Sequence, residues 1–379
     1  MQVSDLVKEK ERQQQEYYYR KYHNVFDYII EFMKTQDVYV YGGTAIDEYM
    51  PLGSKIYDMY ELPDIDVFSK DPVRIADQLV QYLGKKGLVA SKKNAFHAGT
   101  LTVFCEGHKV CDISYITPEY ARRLGTSYRG KMGIKLVSMD FLRFTLHCML
   151  ATSSPQRWEK VVRRLKLVYE VFPLHKPVWR KHLDRSSDVT AVNEAIHIFT
   201  ENNNTILLGT PIIGMMVDKV INSIKTVPYN IVIVTGNIID YAKTIVSSMP
   251  EATLTIDNDY SEALDILIQP KHVGIRYKDT TVAIIFKASK KCFSYNKVQG
   301  RNVGTIHTML MFYYSMFLST DPKFVHMRPA LKCIIDALSV VCKSTFTQLP
   351  TKNKKLFNQL SLKCNGYEMG LATLRRIQA

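Results

Sequence analysis

The chain has 379 residues, 46% hydrophobic and 23% charged, which are ordinary globular values with room for two cored domains. Fifty Lys and Arg against 36 Asp and Glu give a formal charge of +14, which favours a polyanionic partner, nucleic acid ahead of a membrane surface. Seven scattered cysteines (Cys105, Cys111, Cys148, Cys292, Cys333, Cys342, Cys364) argue against a disulfide framework and for reduced thiols, and no apolar run nears the roughly 18 residues of a membrane helix.

The first thirty-odd residues read as a helix, with Phe26, Ile29, Ile30 and Phe32 on an apolar face; the opening is too polar for a signal peptide or a span. Val38 to Tyr41 is a short strand ending in Gly42-Gly43, and Thr44 opens the next helix. A loop with Pro51, Gly53 and Pro63 leads to the strand Asp64 to Phe68. Then comes a helix with Asp71 as N-cap, Pro72 in its first turn and Gly84 at its stop. "GTLTVFC" and "KVCDISYI" alternate as strands of a hairpin turning at "EGH". Helical patterns follow over Ile134 to Ala151 and Arg157 to Phe172.

A stretch with two prolines and a charge run, "FPLHKPVWRKHLDRSSD", marks the main boundary. Beyond it the order repeats: the strand "YNIVIVTG" ending in Gly236, a helix, the strand "ATLTID", the helix "SEALDILIQ" and a hairpin. The tail from about Val303 is helical. These signals predict an α+β chain of three parts: an N-terminal helical segment (1–36), a domain with a helical extension (37–185), and a C-terminal α/β domain with a basic helical tail (186–379). The last reads as a degenerate copy of the second, with Ile284 in "VAIIF" at the place of Asp112 and no Asp-x-Asp pair beside Asp257.

Asp64 and Asp66 alternate with Ile65 and Val67, so both carboxylates share one strand face while the aliphatics share the other. Asp112, between Cys111 and Ile113, repeats the pattern. Three like charges on neighbouring strands need a counter-charge or titrate to neutrality. Hard divalent cations supply it, and Mg²⁺ suits a few carboxylates with phosphate oxygens. Two such ions also activate a hydroxyl and stabilise departing pyrophosphate. The glycine turn fits a triphosphate: backbone approaches closely, and the following helix offers free amides. Either piece alone is commonly structural; their order, spacing and the third aspartate carry the reading.

"YGGTAID", "PDIDVF" and "VCDISYI" resemble the nucleotidyltransferase superfamily of DNA polymerase beta. The long gap from the glycines to Asp-x-Asp, and the helical stretch "SMDFLRFTLHCMLATSSPQRWEKVVRRLKLVYEVF", resemble the poly(A) polymerase catalytic subunits of poxviruses and other large cytoplasmic DNA viruses. The motifs cover about residues 37 to 172. The resemblance implies a polymerase beta-like mixed sheet with flanking helices and template-independent addition of AMP from ATP to an RNA 3′ end. It also implies two Mg²⁺ or Mn²⁺ ions on Asp64, Asp66 and Asp112, with Asp112 beside the ion that lowers the pKa of the 3′-hydroxyl. Gly42, Gly43 and Thr44 would hold the nucleotide, Thr44 standing where serine is usual. The location implied is cytoplasmic, in a virus factory or virion. The assembly implied is a homodimer or a heterodimer with a processivity subunit. The alternatives are another RNA-terminal nucleotidyltransferase with the same site, giving a uridylyl, CCA or oligoadenylate product, and, from another class, a non-catalytic RNA-binding subunit.

For single-stranded RNA the sequence offers residues 156 to 185, with nine basic against three acidic residues, Trp158 and Trp179 nearby, and Arg157, Lys160, Arg163 and Arg164 on one helix. The tail from Lys343 to Arg376 is as basic, and Tyr128, Arg129, Lys131 and Lys135 follow the triad as candidates for base or triphosphate. Cys105, His108 and Cys111 have zinc-like spacing but lack an evident fourth ligand.

Overall fold

In the structure, a computed structural model, residues 3–57, 59–95, 99–151, 155–174, 187–203, 205–217, 227–257, 271–288, 293–346 and 360–365 are described. The chain forms two compact units, residues 1–142 and 143–379.

The first unit begins with helix α1 (Val3–Lys34), strand β1 (Val38–Tyr41) and helix α2 (Gly42–Tyr49). Strand β2 (Ile65–Ser69) and helix α3 (Pro72–Lys85) follow, α3 starting where the Asp71 side chain accepts from the Arg74 amide at 3.0 Å. Strands β3 (Ala90–Asn94), β4 (Thr100–Cys105) and β5 (His108–Tyr115) come next, then helix α4 (Pro118–Leu124) and strands β6 (Gly125–Arg129) and β7 (Lys135–Val137). The β4–β5 turn is tight because Glu106 and Gly107 both take positive φ, 50° and 78°, which matches the twist of a two-residue hairpin. The seven strands lie in the order β3-β4-β5-β2-β1-β7-β6, with β2 parallel to β5 and β1 parallel to β7. The helical pattern in the sequence extends back over residues 134 to 138. Instead Lys135–Val137 is β7, because pairing with β1 outweighs the local pattern, and helix α5 (Met139–Leu150) begins after it.

The division between units falls within α5. The second unit contains helix α6 (Trp158–Val171), α7 (Ser187–Asn202), strand β8 (Ile206–Leu207), α8 (Thr210–Met216), β9 (Asn230–Val234), α9 (Ile238–Ser247) and β10 (Leu254–Ile256). The hairpins β11 (His272–Tyr277) with β12 (Thr280–Lys287) and β13 (Phe293–Val298) with β14 (Arg301–Gly304) follow. Helices α10 (Ile306–Leu318), α11 (Pro322–Val325) and α12 (Arg328–Phe346) and the edge strand β15 (Cys364–Asn365) complete it. Buried His147 joins α5 to α10 through His307 (3.0 Å) and to α6 through the Tyr169 hydroxyl (2.8 Å). Burial first, then mutual repulsion and Arg143, holds the His147 imidazole well below its usual range, and burial pushes His307 down to about 3.

The second sheet runs β10-β11-β12-β9-β8-β14-β13-β15, with β9 parallel to β12 and β8 parallel to β14. Apart from the added β15, this is the first sheet again, strand for strand and direction for direction. The repeat expected from sequence is present, but its alignment is corrected. The counterpart of β1 and its glycine turn is β8 with Gly209-Thr210, not "YNIVIVTG" with Gly236; β8 has two residues and no alternation to reveal it. "YNIVIV" contains β9, in the place of the Asp-x-Asp strand, and "LTI" holds an outer strand. Tyr41 faces Asp66 and Asp66 faces Asp112, whereas Leu207 faces Val232 and Val232 faces Ile285. The carboxylate positions are therefore Asn230, Val232 and Ile285 here, and Ile285 rather than Ile284 replaces Asp112. Helix α7 covers this face, with Asn230 donating to the Asn193 carbonyl at 2.9 Å.

Cys105, Cys111, Cys148, Cys333 and Cys342 are free thiols. Cys364 departs from the reduced expectation, being disulfide-bonded; chain spacing says nothing of which thiols the fold brings together. Among the described residues no helix is long and apolar enough to cross a membrane. The helix expected over "SEALDILIQ" lies outside the described residues.

Restoring a carboxylate at the degenerate site tests how completely it has become core. Val232 is 1% exposed, so Val232→Asp should cost on the order of 3 kcal/mol or more in chemical denaturation. A variant of wild-type stability would show that the position still faces water.

Candidate active site

Strands β2 and β5 lie side by side and parallel, with Asp66 registered opposite Asp112. Partners at one register face the same way, so both carboxylates rise from one side of the sheet. Their neighbours Ile65, Val67, Cys111 and Ile113 point the other way and are buried. Asp66 and Asp112 are half-buried, and Asp64, just before β2, is exposed. The period-two reading of these strands is what the fold builds.

Asp112 is held from two sides. Thr102, its cross-strand partner on β4, donates its hydroxyl to Oδ1 at 2.6 Å, and the Lys109 ammonium lies 2.7 Å from Oδ2. Lys109 stands three residues before Asp112, an odd separation that would put it on the opposite face of a regular strand. A β-bulge at Val110 inserts the extra residue that turns it round: Val103 pairs with Cys111, but Phe104 pairs with Lys109. Burial pushes the Lys109 amine down; its bond to Asp112 and the charges of Asp112, Asp66 and Asp64 outweigh that and hold it above the ordinary lysine range. One ammonium thus lies in the field of all three carboxylates. The same field reaches the back of the site. Burial first, then the Asp66 and Asp112 charges, raises the Cys111 thiol, and burial with Asp66 raises the Tyr41 hydroxyl, which bonds Ser114 at 2.9 Å.

The glycine turn abuts this cluster. Gly42 has φ +69°, and a Cβ built there would lie 2.6 Å from Asp66 Oδ2, so only glycine fits on both counts. No side chain caps α2, leaving its first-turn amides for another acceptor. Gly43 is buried behind Gly42. Thr44 is 1% exposed and gives its hydroxyl to the Asp64 carbonyl at 2.5 Å. Thr44 therefore ties the glycine turn to the first aspartate, and the capacity to meet a phosphate rests with the glycine backbone.

Hard carboxylate oxygens on one face, beside an uncapped helix start, suit a divalent cation in donor chemistry. Among the described residues, however, no three His, Cys, Asp or Glu side chains are already gathered as a ligand set. Asp112 is engaged by Lys109 instead.

The other candidates are dispersed. Arg129 donates to the Gly133 carbonyl within its own turn at 2.8 Å, Lys135 pairs with Asp37 at 2.9 Å, Lys131 is exposed, and Tyr128 stacks on Tyr49 with ring centroids 5.4 Å apart. In the second unit, Arg157, Lys160 and Arg163 are exposed at the start and along the outer face of α6, and Arg164 is half-buried; Val161, Leu165 and Val168 form the inner face. Trp158 is half-buried, and Trp179 and most of the basic tail lie outside the described residues. His108 packs against Tyr22 at 4.7 Å, while Cys105 and Cys111 are buried. Lys109 and Thr102 join the site without having been anticipated. Thr102 is within reach of sequence, since hairpin register sets it opposite Asp112; Lys109 depends on the bulge.

Residues 27–156 match the family of poly(A) polymerase catalytic subunits. Two relatives share the name "Putative poly(A) polymerase catalytic subunit". One, from Acanthamoeba polyphaga mimivirus, is 27% identical over 200 residues, 49% of this chain and 32% of the relative. The other, from African swine fever virus, is 30% identical over 181 residues, 45% of this chain and 38% of the relative. The matched stretch thus spans only about a third of those relatives, 32% of one and 38% of the other. The crystal structure of the Megavirus polyadenylate synthase superposes with a TM-score of 0.79 at 20% identity, covering 99% of this chain and 81% of that one. The chain shares the fold of that synthase.

Gly42→Ala should cost about 1–2 kcal/mol for its left-handed backbone and displace the Asp66 carboxylate. Thermal melts with and without Mn²⁺ measure both effects, and an unchanged melt with unchanged Mn²⁺ stabilisation would refute the close fit.

Proposed function

We propose that this chain is a template-independent poly(A) polymerase that adds AMP from ATP to the 3′ end of single-stranded RNA. The observation that carries the reading is the register pair of Asp66 and Asp112 on parallel strands, with Gly42 closed against Asp66. The similarity of residues 27–156 to poly(A) polymerase catalytic subunits supports the adenylyl product over UMP, CCA or oligoadenylate addition. The aspartates kept in the first unit, beside a second unit that has lost its own, speak against a non-catalytic RNA-binding subunit.

Asp64, Asp66 and Asp112 would hold two divalent ions, Mg²⁺ or Mn²⁺. Such ions, when bound, neutralise the triphosphate and lower the pKa of the RNA 3′-hydroxyl. Asp112, fixed by Thr102, orients the 3′-hydroxyl side of the site, and Asp66 stands between it and the glycine turn. The uncapped amides at Gly42 and Gly43 receive phosphate oxygens. Thr44 holds Asp64 at its distance from that turn. The 3′-hydroxyl gives up its proton to water, its oxygen bonds to the α-phosphorus as the bond to the bridging oxygen breaks, and pyrophosphate leaves with that bridging oxygen. Arg157, Lys160, Arg163 and Arg164 on α6 are the phosphate contacts proposed for RNA. By the family resemblance the enzyme works in the cytoplasm, as a homodimer or with a processivity subunit.

Asp66→Ala should abolish extension of an RNA primer while leaving RNA affinity within a few-fold. Retained extension would remove Asp66 from the chemistry, and wild-type preference for UTP or CTP over ATP would change the product. Reversing charge at Arg157 and Lys160 to Glu should weaken RNA binding and flatten its dependence on salt, by about one unit of log–log slope for each phosphate no longer neutralised. An unchanged slope would place the RNA elsewhere.

A further inference from the structure

Lys109 has no role in the chemistry above, yet its position is costly to build. A β-bulge breaks the β4–β5 ladder at Val110, and the result is to aim one ammonium at Asp112 Oδ2, 2.7 Å away, on the face where Asp64 and Asp66 also stand. The side chain of Asp112 is 18% exposed while that of Lys109 is 45% exposed. The carboxylate is the more enclosed of the two, and nearly half of the lysine side chain faces water, so the ammonium has room to leave without disturbing the sheet. A buried structural ion pair would show neither the exposure of the lysine nor the shared field of three acids.

We propose that Lys109 is a resident counter-ion, occupying the cation position among the aspartates when no metal is bound and yielding it to the incoming divalent ion. The inference rests on Asp64, Asp66 and Asp112 being the metal site. It explains why the carboxylates are not already gathered as a ligand set: Asp112 is turned to Lys109. It also gives the ion pair a consequence, since a metal must displace a positive charge before it gains the Asp112 oxygen. Free metal is thereby held to weak binding. Metal arriving with a nucleotide brings phosphate oxygens that can take up the released ammonium, so the penalty falls when substrate is present.

The test is calorimetric titration of the full chain with Mn²⁺ in the absence of nucleotide. Lys109→Met, or Lys109→Gln should the first variant fold poorly, removes the competing charge and should bind Mn²⁺ about tenfold more tightly than wild type. Lys109→Arg keeps the charge and should bind as wild type does. Without metal, the Met or Gln variant should melt at a lower temperature, and Mn²⁺ should raise that temperature by more than it does in wild type. Equal Mn²⁺ affinity in wild type and the charge-removing variants would overturn the counter-ion while leaving the metal site standing. No Mn²⁺ binding by any of them would overturn both.

Discussion

Two carboxylates at one register of adjacent parallel strands cannot move apart. Strand hydrogen bonds fix their backbones, and Val67 and Ile113, fully buried on the opposite face, fix the pleat. Like charges on such neighbours repel, by about 4 kcal/mol were they roughly 4 Å apart in partly screened surroundings. The surroundings of Asp66 and Asp112 are answers to that repulsion. Thr102 gives one oxygen a hydrogen bond, Lys109 gives another a charge, and Gly42 gives up a side chain so that Asp66 has somewhere to be. A sheet built to keep its acids together in this way is prepared for a cation.

The second unit shows the same scaffold without the constraint. Its strands follow the same order and directions, but Asn230, Val232 and Ile285 stand where the acids would be. Relieved of charge, the face is packed by α7. The two copies are consequently governed by different rules. At Val232 and Ile285 a substitution is judged by volume, a methylene gained or removed; at Asp66 and Asp112 it is judged by charge.

Much of the first unit is readable from the sequence because its strands are long enough to alternate. Asp64 with Asp66, and Asp112 between Cys111 and Ile113, announce their shared face by period two, and Asp71 with Pro72 announces the start of α3. What escapes does so for physical reasons. Strand β8 is two residues long and carries no pattern, which shifts the sequence alignment of the second copy by one strand. Strand β7 exists because β1 lies beside it, a tertiary fact. The hydroxyl of Thr44, expected to face the nucleotide, is folded back onto Asp64. Lys109 is hidden by the bulge: a period-two count sends it to the wrong side of the sheet.

Asp66 and Asp112 belong to strands that pair in parallel, and a parallel pair needs a crossover. Helix α3 and strands β3 and β4 lie in the chain between the two acids that the pairing makes neighbours. The site thus depends on a non-local pairing, and such pairings repay their loop closure late. A chain ending before β5 would carry Asp64 and Asp66 but not the strand that brings Asp112 to them.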